Sequence, residues 1–571
     1  MAFGLIACTP TVTQPTELPS NEHPEMGIVR EGTPDHVNIV KARALERSQL
    51  FTWSAWNAES FARAKREGRS ILIHGAAEWC HWCHVMEETT YRDPDVGAMI
   101  RDKYVAIRVD IDSRPDIEER YGDWGWPATI VLNSEAQELG KYRGYMKPQE
   151  MLENLKQLEQ AQAILDDATA PYDGAIPVEG LFWVGADAAH QMDDYYDEEE
   201  GGWGMRQKAP LGDNIVFELL RFTHGDRDAL ARASFSLKKQ AALIDPVWGG
   251  IYQYSDGSTW DDAHYEKLMA FQTPNLEAYA WGYKATGDAA LLESAQAIAK
   301  YMNTFLSSPE GGFYVTQDAD VGAHDRNAKF VDGDVYYRLS DAERRKLGIP
   351  RVDTNVYGEE NGIAIAAMVS FHQATGDSSA LQRAKRAADL LLSTHVDADG
   401  HVKHDAKSTR SVYYAADAAA FGFALARLAE TTDNGERERY LAAALKIAGA
   451  TLRDFEDPQK GGLWANTPDP DASGVFMTRR KDYYANVSGA RFMATLHRLT
   501  GDAVWQQRAR RTLAGISTPT TIRERGRFIG SYLLALDEVG ALRWSIEPPK
   551  PAPDPEPDST PEPADPGSAV D

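Results

Sequence analysis

The chain has 571 residues, more than one ordinary hydrophobic core supports, so two or more domains are expected. A hydrophobic content of 43% with 26% charged residues describes a globular composition, and the formal net charge of −26 argues against nucleic acid, whose phosphates it would repel. No segment holds the roughly twenty consecutive apolar residues of a membrane-spanning helix.

Residues 1–49 read as a lead-in. The stretch "LIAC" fits a lipobox, which would place a lipid on Cys8 ahead of a Thr/Pro-rich tether. That expectation puts the protein in the cell envelope, periplasmic or lipid-anchored, with membrane contact only through Cys8. The apolar run is short for a working signal and lacks a basic n-region, so an upstream start or a cytoplasmic location is the alternative. Cysteine usage fits export, because Cys80 and Cys83 are the only others and nothing is left to mispair.

Residues 50–168 alternate strands with helices. "SILIHGA" (70–76) is a buried strand running into "AAEWCHWCHVME"; "DPDVGAMIRDKY" is an Asp-capped helix; "VAIRVDID" is the next strand. "WGWPATIVLN" passes through Pro127 into a third strand, "LGKYRGYM" forms an edge strand, and "KPQEMLENLKQLEQAQAIL" a long amphipathic helix. A strand feeding a C-x-x-C at a helix start, then strand–Pro–strand–strand–helix, is the thioredoxin arrangement. A cysteine at a helix N-terminus meets unpaired N–H groups and the positive dipole end, which favour thiolate. Cys80 is therefore the expected nucleophile, His81 its expected cationic neighbour, and Cys83 the more buried resolving thiol. Pro127 is expected to follow a cis peptide bond and present the Trp126 backbone. Two bland readings stand beside this one. A zinc site from Cys80, Cys83, His81 and His84 lacks a distant second ligand pair, and no metal or cofactor is expected. A structural, inert dithiol requires both sulfurs to be shielded from solvent.

"CHWCHVMEETTY", "VDIDSRPDIEERY" and "GWPATIVL" together resemble the spermatogenesis-associated protein 20 family, which joins a thioredoxin-like domain to a helical toroid. His74 stands where thioredoxins carry the buried Asp that serves the resolving thiol, so His74 is the candidate base.

After a linker (169–182), residues 183–545 turn helical and repetitive. "THGD" (223–226) and "TGD" (286–288, 375–377, 500–502) separate helices, with "TTDNG" (431–435) in an equivalent place. Gly would end one helix in a left-handed cap and Asp would begin the next. Alternating with these are "EEEGGWG", "PVWGGIY", "SPEGGFY", "DADGHV" and "PQKGGLW", read as tight exposed turns. Five helix pairs (212–243, 264–306, 359–394, 413–454, 484–516) plus single helices at 183–197 and about 527–540 make six hairpins, a closed (α/α)6 toroid. An open solenoid would need polar capping repeats at both ends. A Pro/acidic tail (546–571) cannot bury enough apolar surface to order itself.

Helices after the Gly-Gly turns form the inner layer, and the polar, aromatic segments at their starts surround one mouth. The resemblance matches His264 and Glu266 in "STWDDAHYEKLM", Asp318 and Asp320 in "EGGFYVTQDAD", Asp417 in "YYAADAAAF", and Lys481 and Asp482 in "RRKDYYANVSGAR"; Trp260 and Tyr414 complete the candidate substrate site. Ala416 and the residues after Gly489 depart from the family pattern. Toroids of this class include six-hairpin glycosidases and N-acylglucosamine 2-epimerases. The combined expectation is a thiol–disulfide oxidoreductase whose toroid holds a client or glycan. Its partners would be client disulfides or an upstream thiol reductant, and a carbohydrate. The alternatives are a carbohydrate-active enzyme, epimerase or hydrolase, with an accessory thioredoxin domain, and a non-catalytic scaffold.

Overall fold

The computed structural model describes residues 50–122, 125–159, 161, 175–325 and 327–544. Cys8 and the tail lie outside these residues. Among them, no helix is long and apolar enough to cross a membrane.

The first unit is built on a four-stranded sheet ordered β2-β1-β3-β4, from β1 (Ser70–Ala76), β2 (Tyr104–Asp110), β3 (Ala128–Leu132) and β4 (Glu138–Arg143). β1 runs parallel to β2 and antiparallel to β3, so it is central, and all its residues after Ser70 are buried. The continuous apolar run follows from cover on both faces. α1 (Ala58–Glu67), α2 (His81–Glu88), α3 (Pro94–Lys103), α4 (Pro115–Tyr121) and α5 (Pro148–Leu158) complete it. Asp93 caps α3 as expected, accepting from Asp95 N and Val96 N. The bond between Trp126 and Pro127 is cis, also as expected. Two helices were not read from the pattern: α1, and the seven-residue α4 inside the acidic "RPDIEERY". This is a thioredoxin-like domain with a mixed sheet.

The second unit is a ring. Six inner helices, α7 (Gly212–Thr223), α9 (Met269–Thr286), α11 (Gly358–Thr375), α13 (Ala415–Thr431), α15 (Tyr483–Thr500) and α17 (Gly530–Glu538), pack each against the next, and α17 returns to α7. The outer helices are α6 (Leu181–Asp194), α8 (Arg227–Gln240), α10 (Ala289–Thr304), α12 (Ser378–Thr394), α14 (Asn434–Asp454) and α16 (Ala503–Ala514), with α6 against α17. The ring closes through Asn214, which donates to Arg527 O and accepts from Gly530 N at 2.9 Å each. A Cβ on Gly530 would sit 2.4 Å from Asn214 N, so closure needs glycine there.

The hairpin punctuation folds as read at three sites: Gly287, Gly376 and Gly501 are left-handed caps, and Asp288, Asp377 and Asp502 accept from the next helix. "TTDNG" differs, because α13 runs out into an extended Thr432 and it is Asn434 that takes a positive φ. The Gly-Gly turns are buried rather than exposed. A Cβ on Gly249 would lie 2.2 Å from Ala297 O, so the turn is pressed against α10. A lysine before the following inner helix holds each of three such turns. Lys208 reaches Asp197 (2.5 Å), Lys267 reaches Asp245 (2.8 Å) and Lys481 reaches Asp457 (3.1 Å).

Candidate active site at the domain seam

β1 ends at Ala76 and the chain turns through Trp79 into α2, whose N-cap is Cys80. Cys80 Sγ accepts from Cys83 N at 3.2 Å, the expected placement at the helix start. Cys80 and Cys83 form a disulfide. Cys83 is fully buried, and Cys80 is only 4% exposed. Around them pack Trp79, Ala76, Ala77 and Ile111, with Trp126 and, from the toroid, Leu268. Both sulfurs are therefore shielded from solvent, which is the condition for a structural, inert dithiol and stands against the expected reactive nucleophile at Cys80.

On one side the seam is closed by the loop around residues 316–334. His81 Nδ1 lies 2.5 Å from Asp320 Oδ2. Burial opposes the imidazolium, but the Asp320 carboxylate outweighs it and lifts His81 to about 10. Burial likewise acts against charge on Asp320, yet His81 keeps that carboxyl below its usual range. His81 therefore faces Asp320 as an ion pair, whereas the expectation was a cation serving Cys80. One turn on, burial pulls His84 down to about 3 and keeps it neutral. His84 Nδ1 is 3.7 Å from Asp318 Oδ2, which His324 Nε2 approaches to 2.9 Å. Glu266 and Asp332 are buried beside His81, and burial raises both carboxyls, Asp332 to about 7.

On the other side, the end of β2 meets α11 and α13. Trp79 Nε1 donates to Asp112 Oδ2 at 2.9 Å, and the Asp112 carbonyl takes His404 Nε2 at 2.8 Å. His404 Nδ1 lies 2.9 Å from Asp417 Oδ1. Burial disfavours its charge, but Asp417 prevails and raises it to about 9. Glu360 of α11 is half-buried, and loss of solvent together with the Asp417 and Asp353 carboxylates pushes it up to about 7, while Glu118 of α4 lies exposed nearby. Further out, Phe476 packs on Trp56 at 4.5 Å, and Arg120 donates to Thr478 O at 2.8 Å, so the 466–480 loop clasps the thioredoxin-like domain.

The seam is rich in unmet polarity. His81 Nε2, both His84 nitrogens, Asp110 Oδ1, Glu266 Oε2, Asp353 Oδ2, Glu360 Oε2 and Asp417 Oδ2 are buried with no hydrogen-bond partner among the described residues. Buried polar atoms normally find partners, so such a concentration marks where polar ligand or water belongs.

The expected site residues divide. Cys80, Cys83, His81, Trp126, Glu266, Asp318, Asp320 and Asp417 gather along the seam. His74 instead sits between Glu87 and Tyr91, both 3.3 Å away, stacked on Trp53; burial lowers its pKa, and it bonds to neither sulfur. Trp260 donates to Glu200 O, and His264 pairs with Asp256 while stacking on Tyr254. Lys481 is a turn clamp and Asp482 caps α15 through Ala485 N. Tyr414 is the buried N-cap residue of α13, edge-on to His404. Sequence reasoning missed His404, Asp112, Glu118, Glu360 and His324. His324 lies four residues beyond the quoted "EGGFYVTQDAD" that holds Asp318, which was the available signal.

Residues 44–170 match a family model described as Thioredox_DsbH, protein of unknown function DUF255. Human spermatogenesis-associated protein 20 is 28% identical over 309 residues, covering 47% of this chain and 39% of that protein. The uncharacterized protein B0495.5 of Caenorhabditis elegans is 26% identical over 315 residues, 49% of this chain and 43% of its own. The resemblance read from "CHWCHVMEETTY" therefore holds, and the alignments span about two-fifths of the length of these relatives. Among solved structures, a D-mannose isomerase is 13% identical, covering 64% of this chain and 99% of its own at a TM-score of 0.48. The cellobiose 2-epimerase of Spirochaeta thermophila is also 13% identical, covering 63% and 97% at 0.48.

Proposed function

We propose that this protein is a thiol–disulfide oxidoreductase whose dithiol works inside the seam, on a small polar disulfide held by the toroid mouth. The observation that carries the reading is the position of Cys80 as N-cap of α2, its sulfur accepting from the Cys83 N–H, and its burial confines any reaction to the seam. With Cys80 only 4% exposed a folded protein client has no access to it, so the substrate in this reading is a small molecule.

In the reducing direction, the Cys80 thiolate attacks one sulfur of the substrate disulfide. That S–S bond breaks, the distal thiolate leaves and takes a proton, and a mixed disulfide remains on Cys80. Cys83 then loses its proton and attacks the Cys80 sulfur, releasing the second substrate thiolate. Two electrons have passed from the dithiol to the substrate, leaving the Cys80–Cys83 disulfide. An external small-molecule dithiol returns the pair to its reduced state. The helix start favours the thiolate at Cys80. The unpartnered carboxylates and histidines along the seam suit a substrate rich in hydroxyl or amino groups.

The test is turnover of a small aliphatic disulfide, cystamine, with dithiothreitol as reductant. Cys80→Ser should abolish turnover, and Cys83→Ser should accumulate the mixed disulfide on Cys80, visible by mass spectrometry. Equal rates for wild type and Cys80→Ser would end this reading.

A second reading has its own support. Glu360 is raised to about 7 beside the His404–Asp417 pair, which equips this side for proton transfer on a carbohydrate. Under it, Glu360→Gln abolishes isomerisation of a reducing sugar while Cys80→Ser leaves it intact.

A further inference from the structure

Three side chains that take no part in the sulfur chemistry converge between the domains. His84 comes from α2 of the thioredoxin-like domain; Asp318 and His324 come from one toroid loop. Their ligand atoms all lie within 4.8 Å of one another. His84 Nδ1 is 3.7 Å and His324 Nε2 2.9 Å from Asp318 Oδ2. Tetrahedral coordination at bonds of about 2.0–2.1 Å spaces ligands by roughly 3.4 Å, so small side-chain shifts would admit an ion.

His84 carries the independent evidence. Its side chain is 7% exposed, and neither ring nitrogen has a hydrogen-bond partner among the described residues. An imidazole buried without partners costs free energy, and a metal bond would remove part of that cost. The surroundings also fit. Asp318 Oδ1 accepts from Asp320 N at 3.0 Å, which fixes the carboxylate and leaves Oδ2 facing the imidazoles. His324 Nδ1 lies 3.4 Å from Glu78 Oε2 and 3.0 Å from Arg351 Nη1, while Arg351 also holds Glu78 at 2.6 Å. With an ion on Nε2, Nδ1 would carry the proton, so Arg351, which now donates to Nδ1, would have to turn wholly onto Glu78 before Nδ1 could donate to that carboxylate. The neighbouring trio His81, Asp320 and Asp332 is less suited, because it offers one imidazole rather than two.

We infer that His84, Asp318 and His324 form a binding site for one divalent transition-metal ion, with two nitrogens and a carboxylate oxygen as donors and Glu78 orienting His324. Two imidazoles and one carboxylate suit zinc or a neighbouring first-row ion, and the ligand set pins the two domains together. The site is independent of the electron-transfer reading and stands or falls separately from it.

The experiment uses untagged full-length protein with the disulfide intact, stripped with a chelator and then dialysed against zinc chloride, with bound metal counted by mass spectrometry. One zinc per chain is expected. His84→Gln and His324→Gln should each weaken zinc binding at least tenfold, and Cys80→Ser/Cys83→Ser should retain it. The His324 side chain is 22% exposed, so that variant keeps its fold, which circular dichroism checks. Zinc should also raise the melting temperature of wild type and not of His324→Gln. Failure of wild type to retain zinc, full affinity in both histidine variants, or loss of zinc with the cysteines would each overturn the assignment.

Discussion

The contact between His81 and Asp320 joins the C-x-x-C helix to the toroid through two buried charges. Removing one partner of a buried pair leaves the other uncompensated, at a cost of about 3–5 kcal/mol. Asp320→Asn should therefore loosen the seam, read as faster labelling of dithiothreitol-reduced Cys80 by a maleimide carrying a long polyether chain. Unchanged labelling would mean that the pair does not hold the domains. At this scale the sequence showed residue types better than partners. His81 and Asp320 were both singled out, but 239 positions separate them and no local periodicity encodes their meeting. His404 escaped notice because its partners, Asp417 and the Asp112 carbonyl, come from a ring helix and the other domain. Lys481 and Asp482 drew attention as charges near an inner-helix start, where clamping and capping account for both.

Element boundaries were far more legible, because they rest on local chemistry. β1 was read at its observed residues, 70–76, and the Gly-Asp pairs at 287–288, 376–377 and 501–502 cap helices as their residue types require. The start of the second helix pair was misplaced: residues 263–268 form short strand pairs, and α9 begins at Met269. Glycine roles divide by environment. Gly287 has φ +72° and nothing near its Cβ position, so Gly287→Ala should cost about 1–2 kcal/mol from the left-handed backbone alone. Gly249 adds a clash with Ala297 O at 2.2 Å, so Gly249→Ala should cost clearly more. Urea midpoints of the two variants check this order, and equal midpoints would contradict the buried turn. The lysine clamps should behave alike. Lys267→Met removes one of two cations from Asp245 and the donor to Gly249 O while Arg344 stays in place, and should destabilise by about 1–3 kcal/mol, read from the same urea curves.

At the scale of the whole molecule, the two domains meet along one buried seam. The histidines that bridge them carry a pH signature. His404 rises from 6.5 to about 9 on folding, so its contribution is complete below pH 6.5 and lost as pH rises through 9. His81 follows the same sign, with its loss near 10. For His404 the shift corresponds to about 3 kcal/mol, so stability to urea should fall between pH 7 and 10, and His404→Gln should flatten that slope. A slope identical to wild type would remove His404 from the account. The ring's closure was legible from repeat punctuation, whereas the docking of one domain over the other's mouth was not, since surface complementarity leaves no periodic trace. The most direct test of the central claim compares two disulfides under one reductant: insulin, too large for the closed seam, and cystamine, small enough to enter it. Wild type should reduce cystamine and leave insulin almost untouched, and Asp320→Asn should gain insulin reduction. Wild-type protein that reduces insulin as readily as cystamine would contradict a dithiol confined between the domains.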